Sequence, residues 1–210
     1  MHLAILGATG RTGRHLVDQA IVAGHRVTAV VRDPNRFDQN QSGLAVRPLS
    51  TLTAEALAPL LTGTDAVLST IGTRDSRKPT TVTADTATAT VAAMRASGTR
   101  RLVVVSASGM HREGDDPLTR LLVKPVLGRI LRHAFADMLR MEEIVARSGL
   151  DWTLLRPPRL TDRPAAGSYR TALDRNVRGG FQLTRADLAA CLLRCLHEPA
   201  WSRHAVSVAH

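Results

Sequence analysis

Leu3-Ala4-Ile5-Leu6-Gly7-Ala8-Thr9-Gly10-Arg11-Thr12-Gly13 is the stretch on which the fold turns. A short apolar run enters three glycines spaced three apart, and a helical apolar pattern over residues 12–23 follows until Gly24 stops it. That order predicts strand, tight turn and helix. In such a unit the turn delivers backbone N–H groups and the positive end of a helix to one point, where the pyrophosphate of a dinucleotide binds. Gly7 would permit the turn, Gly10 would let backbone approach phosphate, and Gly13 would let the helix pack closely on the strand.

The same alternation continues outward. A β-branched run at 27–31 leads into a polar loop at 32–42, and a weaker strand at 44–47 stops at Pro48. Residues 53–61 read as a helix with Thr53 as N-cap, and 66–71 as a buried parallel strand between Gly63 and Gly72. An Ala/Thr-rich helix at 80–97 ends at Gly98, and 102–105 is a strand. The pattern loosens over 106–117, then gives helices at 118–133 and 135–148, a strand at 152–155 and a Pro/Gly/Arg-rich stretch expected to form an irregular cap over about 156–183. A helix at 184–197, with Thr184 and Asp187 as a variant capping box, and a strand at 205–208 complete the chain. This predicts one domain over residues 1–210: a three-layer, Rossmann-like α/β fold with a doubly wound parallel sheet, whose ligands bind beyond the carboxyl ends of the strands.

Composition narrows the function classes. An apolar content of 44% supports a core, no apolar run approaches the length of a membrane span, and the start carries no recognisable export signal, so the expectation is a cytoplasmic protein with no membrane partner. Cys191 and Cys195 cannot build a disulfide framework or a four-ligand metal site. The net charge of +10 invites a nucleic-acid reading. However, 26 of the 28 basic residues are arginines spread along the whole chain, and aromatics are only 3%, so specific nucleic-acid binding is not expected.

Arg32 falls 19 residues after Gly13, at the end of the second strand, where a site for NAD would present a carboxylate to the ribose. Arginine there favours the 2′-phosphate of NADP(H), and Arg36 in the same loop is the second jaw of a clamp. Asp33 between them remains able to serve a ribose hydroxyl.

Together with Val30-Val31-Arg32-Asp33, the segments Ile71-Gly72-Thr73-Arg74, Pro79-Thr80-Thr81-Val82, Ser148-Gly149-Leu150 and Arg156-Pro157-Pro158 extend the pattern over nearly the whole chain. In these motifs the chain resembles the atypical short-chain dehydrogenases of the NAD(P)H-binding, NmrA-like group, and within it the biliverdin-IXβ reductase/flavin reductase branch. The resemblance implies that Gly7, Thr9, Gly10, Arg11 and Thr12 hold pyrophosphate, with Gly13 completing the cofactor-binding turn, and that Arg32 and Arg36 hold the 2′-phosphate. Ile71, Gly72, Thr73 and Arg74 would line the middle of the cofactor. Ser106 and the residues after it, with Pro157, Pro158, Arg159 and Leu160, would surround the nicotinamide and substrate. The chain departs from this pattern at three places: Pro48-Leu49-Ser50 stands where the family often has an acidic residue after the third strand, the serine expected past the fifth strand aligns with Ala107, and the histidine expected after the two prolines is Arg159.

The tyrosine-lysine pair of standard short-chain dehydrogenases is missing. Tyr169 is the only tyrosine, with Leu173 four residues on. Ser106 and Ser108, on one face if the strand continues through them, are the candidate catalytic hydroxyls, and His111 a candidate substrate-side group. Asp115 and Asp116 read as a solvated loop pair, and Glu142 and Glu143 as surface partners of Arg140 and Arg147. The resulting expectation is an NADPH-dependent reductase acting on a planar conjugated small molecule, such as a flavin, a tetrapyrrole or a quinone-like metabolite. A non-catalytic NADP(H) redox sensor and a cofactor-recycling isomerase or dehydratase stand as alternatives.

Overall fold

In the first strand, β1 (His2–Leu6), Leu3 and Ile5 pack into one core cluster and Ala4 and Leu6 into another, all fully buried. Successive side chains of a strand project to opposite faces, so a strand apolar on both faces needs helices on both. The computed structural model, which describes residues 1–37, 41–73, 75 and 78–210, supplies them.

After β1 come α1 (Arg11–Val22), β2 (Arg26–Val31), β3 (Leu44–Pro48), α2 (Ala54–Leu61), β4 (Ala66–Ser69), α3 (Val82–Ser97) and β5 (Arg101–Val105). They are followed by α4 (Lys124–Ile130), α5 (Arg132–Ala146), β6 (Asp151–Arg156), β7 (Arg159–Thr161), β8 (Arg170–Leu173), β9 (Gln182–Thr184), α6 (Arg185–Arg194) and β10 (His204–Ala209). Among the described residues the main sheet runs β3-β2-β1-β4-β5-β6-β10-β8, parallel throughout except for β8. Leu16 and Val17 of α1 and Leu188 and Leu192 of α6 cover one face. Leu57 and Leu61 of α2, Val91 and Met94 of α3, and Met141 and Val145 of α5 cover the other. The three-layer doubly wound sheet predicted from the sequence is the fold observed.

Local signals act at the expected positions. Thr53 Oγ1 accepts from Ala56 N at 3.3 Å, and Thr184 Oγ1 from Asp187 N at 3.0 Å, so both threonines cap their helices. Gly98 closes α3 at φ +79°. The Asp187 carboxylate, however, does not reach back to the cap residue's own N–H. It is buried, and it accepts from the N–H groups of Ala166 and Gly167 at 2.9 and 3.1 Å, which ties the preceding loop down.

Three expectations need correction. The stretch after β6 is not wholly irregular: β7 pairs in parallel with β9, and β8 extends the main sheet antiparallel to β10. β8 is largely exposed, and backbone pairing to the free edge of a buried strand carries no hydrophobic signature for periodicity to detect. The strand expected at 66–71 ends at Ser69, because Thr70 turns its hydroxyl to the carbonyls of Leu6 and Gly7, 3.2 Å from each. The helix expected at 118–133 starts as π-helical turns at Thr119–Val123 and breaks at Leu131.

Gly13 shows how tightly the first turn is built. A Cβ there would lie 2.2 Å from the Gly7 carbonyl oxygen and 2.8 Å from Ala8 Cα, both backbone atoms that cannot swing away. Gly13→Ala is therefore expected to cost about 1–3 kcal/mol through a displaced α1, measured by urea unfolding. At Gly128 in α4 a Cβ would meet no heavy atom within 4 Å, so Gly128→Ala should instead gain about 0.5–1 kcal/mol from helix propensity.

Candidate functional site

The chain leaves β1 toward β2 on one side and β4 pairs on the other, so the strand order reverses beyond Leu6. Ligands of open α/β sheets bind at such a point. Gly7 sits there at φ +81°, and a Cβ on it would come within 2.8 Å of Thr70 Oγ1 and 3.0 Å of Ile71 N. Only glycine lets the two segments approach this closely.

A cleft of about 850 Å³ opens from this point. Gly7, Thr9, Gly10 and Arg11 form one wall, Arg32 stands at the end of β2, and Ile71, Gly72 and Thr73 border the middle. Leu49 and Leu52 add an apolar end beyond β3. Gly10 is the N-cap of α1 without a side-chain cap, the first turn of the helix has no acidic residue, and a Cβ on Gly10 would crowd the Gly7 carbonyl at 3.1 Å. A bare helix start in a roomy cleft suits a diphosphate. The start of α3, by contrast, is already satisfied: the buried Asp137 carboxylate accepts from Thr83 N at 2.9 Å and Ala84 N at 3.0 Å.

Of the other residues expected at the cofactor, Gly13 is buried behind the turn and Thr12 is half-buried. Asp33 caps the 3₁₀ turn Pro34–Arg36, its Oδ1 accepting from Asn35 N at 3.1 Å. Arg36 belongs to that turn, with its side chain outside what the structure describes, and Arg74 lies outside the described residues. Arg11 reaches across to Asp162, 2.7 Å away, and Arg185 meets the same carboxylate from the other side at 2.7 Å.

Beyond the ends of β5 and β6 lies a second group. Ser106, expected to offer its hydroxyl to a substrate, instead donates it to Glu142 Oε1 at 2.6 Å, and its N–H donates to the Leu155 carbonyl. Arg156 binds the same carboxylate with two hydrogen bonds, Nε to Oε1 at 2.9 Å and Nη2 to Oε2 at 2.6 Å. His111 Nε2 lies 3.1 Å from Oε2, within ion-pair range but off the line of a straight hydrogen bond. Burial alone would push the Glu142 carboxyl up. The nearby His111 ring, together with the hydrogen bonds from Arg156 and Ser106, outweighs it and holds the pKa at about 2.

The strand does not continue through Ser108, which begins a 3₁₀ turn; its N–H donates to the Pro157 carbonyl at 2.9 Å. Lys124 of α4 is buried beneath this loop. Its ammonium donates to the carbonyls of Ser108 (2.6 Å) and His111, and it pairs with Asp115 Oδ2 at 3.0 Å. Asn176 adds bonds to the His111 carbonyl at 2.8 Å and to Asp115 Oδ1 at 3.1 Å. Pro157 is buried, Pro158 and Leu160 are half-buried, and Arg159 is exposed.

Two sequence readings fail here. Asp115, read as solvated, is a buried anchor, and Asp116 accepts from Thr119 N at 3.0 Å. Glu143 pairs with Arg147 at 2.8 Å as expected, but Glu142 faces inward. The signal was present, because Glu142 lies on the same side of α5 as the buried Phe135, Met141 and Val145. A charge on an apolar stripe requires a partner, and Arg156, 14 residues away in another element, is that partner.

The folded-state pKa of Glu142 lies below its ordinary value of 4.5, so its contribution is complete above that value and is lost as pH falls toward about 2. The amount is on the order of 3 kcal/mol. Glu142→Gln should therefore be much less stable than wild type near neutrality, with the gap narrowing steadily below about pH 4.5 in thermal unfolding. A gap that stays constant to pH 3 would show that the carboxylate is not held in this way.

Comparison with known proteins agrees with this geometry. A family model described as NAD(P)H-binding matches residues 7–199. YwnB of Bacillus subtilis is 27% identical over 206 residues, covering 95% of this chain and 93% of its own. A short-chain dehydrogenase/reductase from Veillonella parvula, solved in complex with NADP, superposes with a TM-score of 0.82 at 18% identity over all of this chain and 94% of its own. A candidate NADH-flavin reductase from Streptococcus pneumoniae does so with 0.80 at 23% identity, over all of this chain and 99% of its own. The matched region opens on Gly7, the first glycine of the turn, and reaches past α6, so the chain belongs to the NAD(P)H-binding family.

Proposed function

We propose that the protein is an NADPH-dependent reductase that passes hydride to a planar conjugated small molecule such as a flavin, a tetrapyrrole or a quinone-like metabolite. The observation that carries this reading is the fate of the groups a carbonyl-reducing dehydrogenase would use. Tyr169 packs against the α6 side of the core, where burial and the nearby Cys191 push its hydroxyl up to about 12. Lys124 is committed to two carbonyls and Asp115. An acceptor ring that delocalises the incoming charge can take its proton from water, so the protein has mainly to orient two rings.

NADPH, when bound, supplies the hydride. The glycine turn and Arg11 would hold its diphosphate, and Arg32 with Arg36 its 2′-phosphate. Ile71, Gly72, Thr73 and Arg74 would border its middle, and Pro157 and Pro158 its nicotinamide end. Ser106 acts as a positioning residue rather than a proton donor, because its own proton is held by Glu142. Ser108 fixes the loop through its backbone. His111, mostly buried and steadied by Glu142, is the side chain suited to relaying a proton from solvent. Arg159 and Leu160 on β7 would meet the acceptor. The name of the Streptococcus pneumoniae neighbour supports a flavin among the acceptors. The reading includes a cytoplasmic location and no specific nucleic-acid partner.

Fluorescence titration should give tighter binding of NADPH than of NADH. Arg32→Ala should weaken NADPH roughly 10- to 100-fold, the loss of one charge-assisted contact worth about 1.5–3 kcal/mol, and leave NADH nearly unchanged. Adding a flavin or a quinone should then oxidise the bound NADPH. Binding without acceptor-dependent oxidation would favour the sensor or isomerase alternatives, and equal loss of both nucleotides in Arg32→Ala would remove the clamp.

A further inference from the structure

Asp162 follows directly on β7, and the parallel register that sets Thr161 against Thr184 brings it beside Arg185, the first residue of α6. Its two carboxylate oxygens have different partners. Oδ1 accepts from Arg185 Nη1 at 2.7 Å, and the Arg185 side chain is only 12% exposed. Oδ2 accepts from Arg11 Nη1, also at 2.7 Å, but the Arg11 side chain is 70% exposed and that of Asp162 56%. The aspartate is thus fixed from one side and open on the other.

Arg11 is the first residue of α1 and stands with Gly7, Thr9 and Gly10 on the wall of the cleft, at the bare helix start that suits an anion. Its guanidinium therefore has two acceptors within its range of chemistry: one carboxylate oxygen, and a doubly charged diphosphate. An exposed pair of this kind adds little to stability. Giving it up also strands no charge, because Arg185 keeps hold of Asp162. An aspartate with Arg11 as its only partner would resist the exchange.

We propose that Asp162 sets the affinity for the dinucleotide by competing with the diphosphate for Arg11. Without dinucleotide the guanidinium is parked on Oδ2, and on binding it moves to the diphosphate while Arg185 retains the carboxylate. This rests on the placement of Arg11 at the diphosphate. Every binding event then displaces an internal anion, so the apparent affinity falls with the fraction of chains in which the pair is closed. The diphosphate is common to NADPH and NADH, so Asp162 acts on both alike, in contrast to Arg32.

Fluorescence titration of both nucleotides with wild type, Asp162→Asn, Arg11→Ala and the double variant tests this, at about 0.15 M salt, where exposed charges are screened beyond about 8 Å. Asparagine can keep an oxygen toward Arg185 while its amide nitrogen offers Arg11 no acceptor, and circular dichroism checks that the fold is retained. Asp162→Asn should tighten NADPH and NADH by a similar factor, about two- to fivefold, the worth of one exposed ion pair. Arg11→Ala should weaken both at least roughly fivefold, and in that background Asp162→Asn should lose most of its gain. Unchanged or weaker binding by Asp162→Asn would overturn the proposal, weaker binding because the carboxylate would then be orienting Arg11 for the diphosphate. A gain of the same size with and without Arg11 would overturn it as well, since the carboxylate would then act through its field alone. Binding that Arg11→Ala leaves intact would overturn it by removing Arg11 from the diphosphate, while the contrast between NADPH and NADH in Arg32→Ala still tests the 2′-phosphate clamp separately.

Discussion

The contact between Gly13 and the carbonyl of Gly7 governs more of this molecule than any other. With no side chain at either position, α1 begins almost on top of β1, and β1 in turn lies against Thr70 and Ile71 at the end of β4. Those approaches bring the start of α1 to the rim of the sheet at the point where strand order reverses. They also leave the cleft beside it open. An alanine at Gly7 or Gly13 would have to push backbone apart, so the geometry of the site and the packing of the first layer are one constraint.

A different logic operates beyond β5 and β6. There the loop after β5 is held by two buried charges, Glu142 from one helix and Lys124 from another, each surrounded by fixed partners. Burying a charge is costly, and removing one partner of such a group leaves the other stranded. Apolar packing would hold a loop at lower cost, but it would not orient the His111 ring and the Ser106 hydroxyl at defined positions. The bidentate Arg156–Glu142 pair does so because a planar guanidinium and a planar carboxylate meet in one geometry. The apolar outer face of α4 and the inner ammonium of Lys124 belong to the same short helix, which therefore faces both this loop and solvent.

The arginine richness of the chain resolves into separate tasks. Arg156 and Arg101 are mostly buried, and Arg101 donates to the Cys195 carbonyl at 2.7 Å and to Thr153 at 2.8 Å. Arg11 and Arg185 share Asp162, which links the glycine turn to the strand that carries Arg159. That Arg11 contact is exposed and contributes little to stability, so it can give way to a more strongly charged ligand. Arg32 stays exposed at the cleft wall.

The layers, the order of the parallel strands of the main sheet and of the helices between them, the helix caps and the glycine turn are legible in the bare chain. Each is written in residues that are near neighbours, through periodicity of two or 3.6 and through local hydrogen bonds such as Thr53 to Ala56. Arg32 is legible for the same reason, since its place at the end of β2 follows from counting along one βαβ unit. Contacts across elements had to come from the folded molecule. Ser106, His111, Glu142 and Arg156 come from a strand end, a loop, a helix and another strand, and 36 residues separate the serine from the glutamate it serves. β8 likewise reads as loop because its pairing uses backbone alone. Periodicity reports which face of an element is buried, whereas the partner of a buried charge is set by packing between elements that share no sequence neighbourhood.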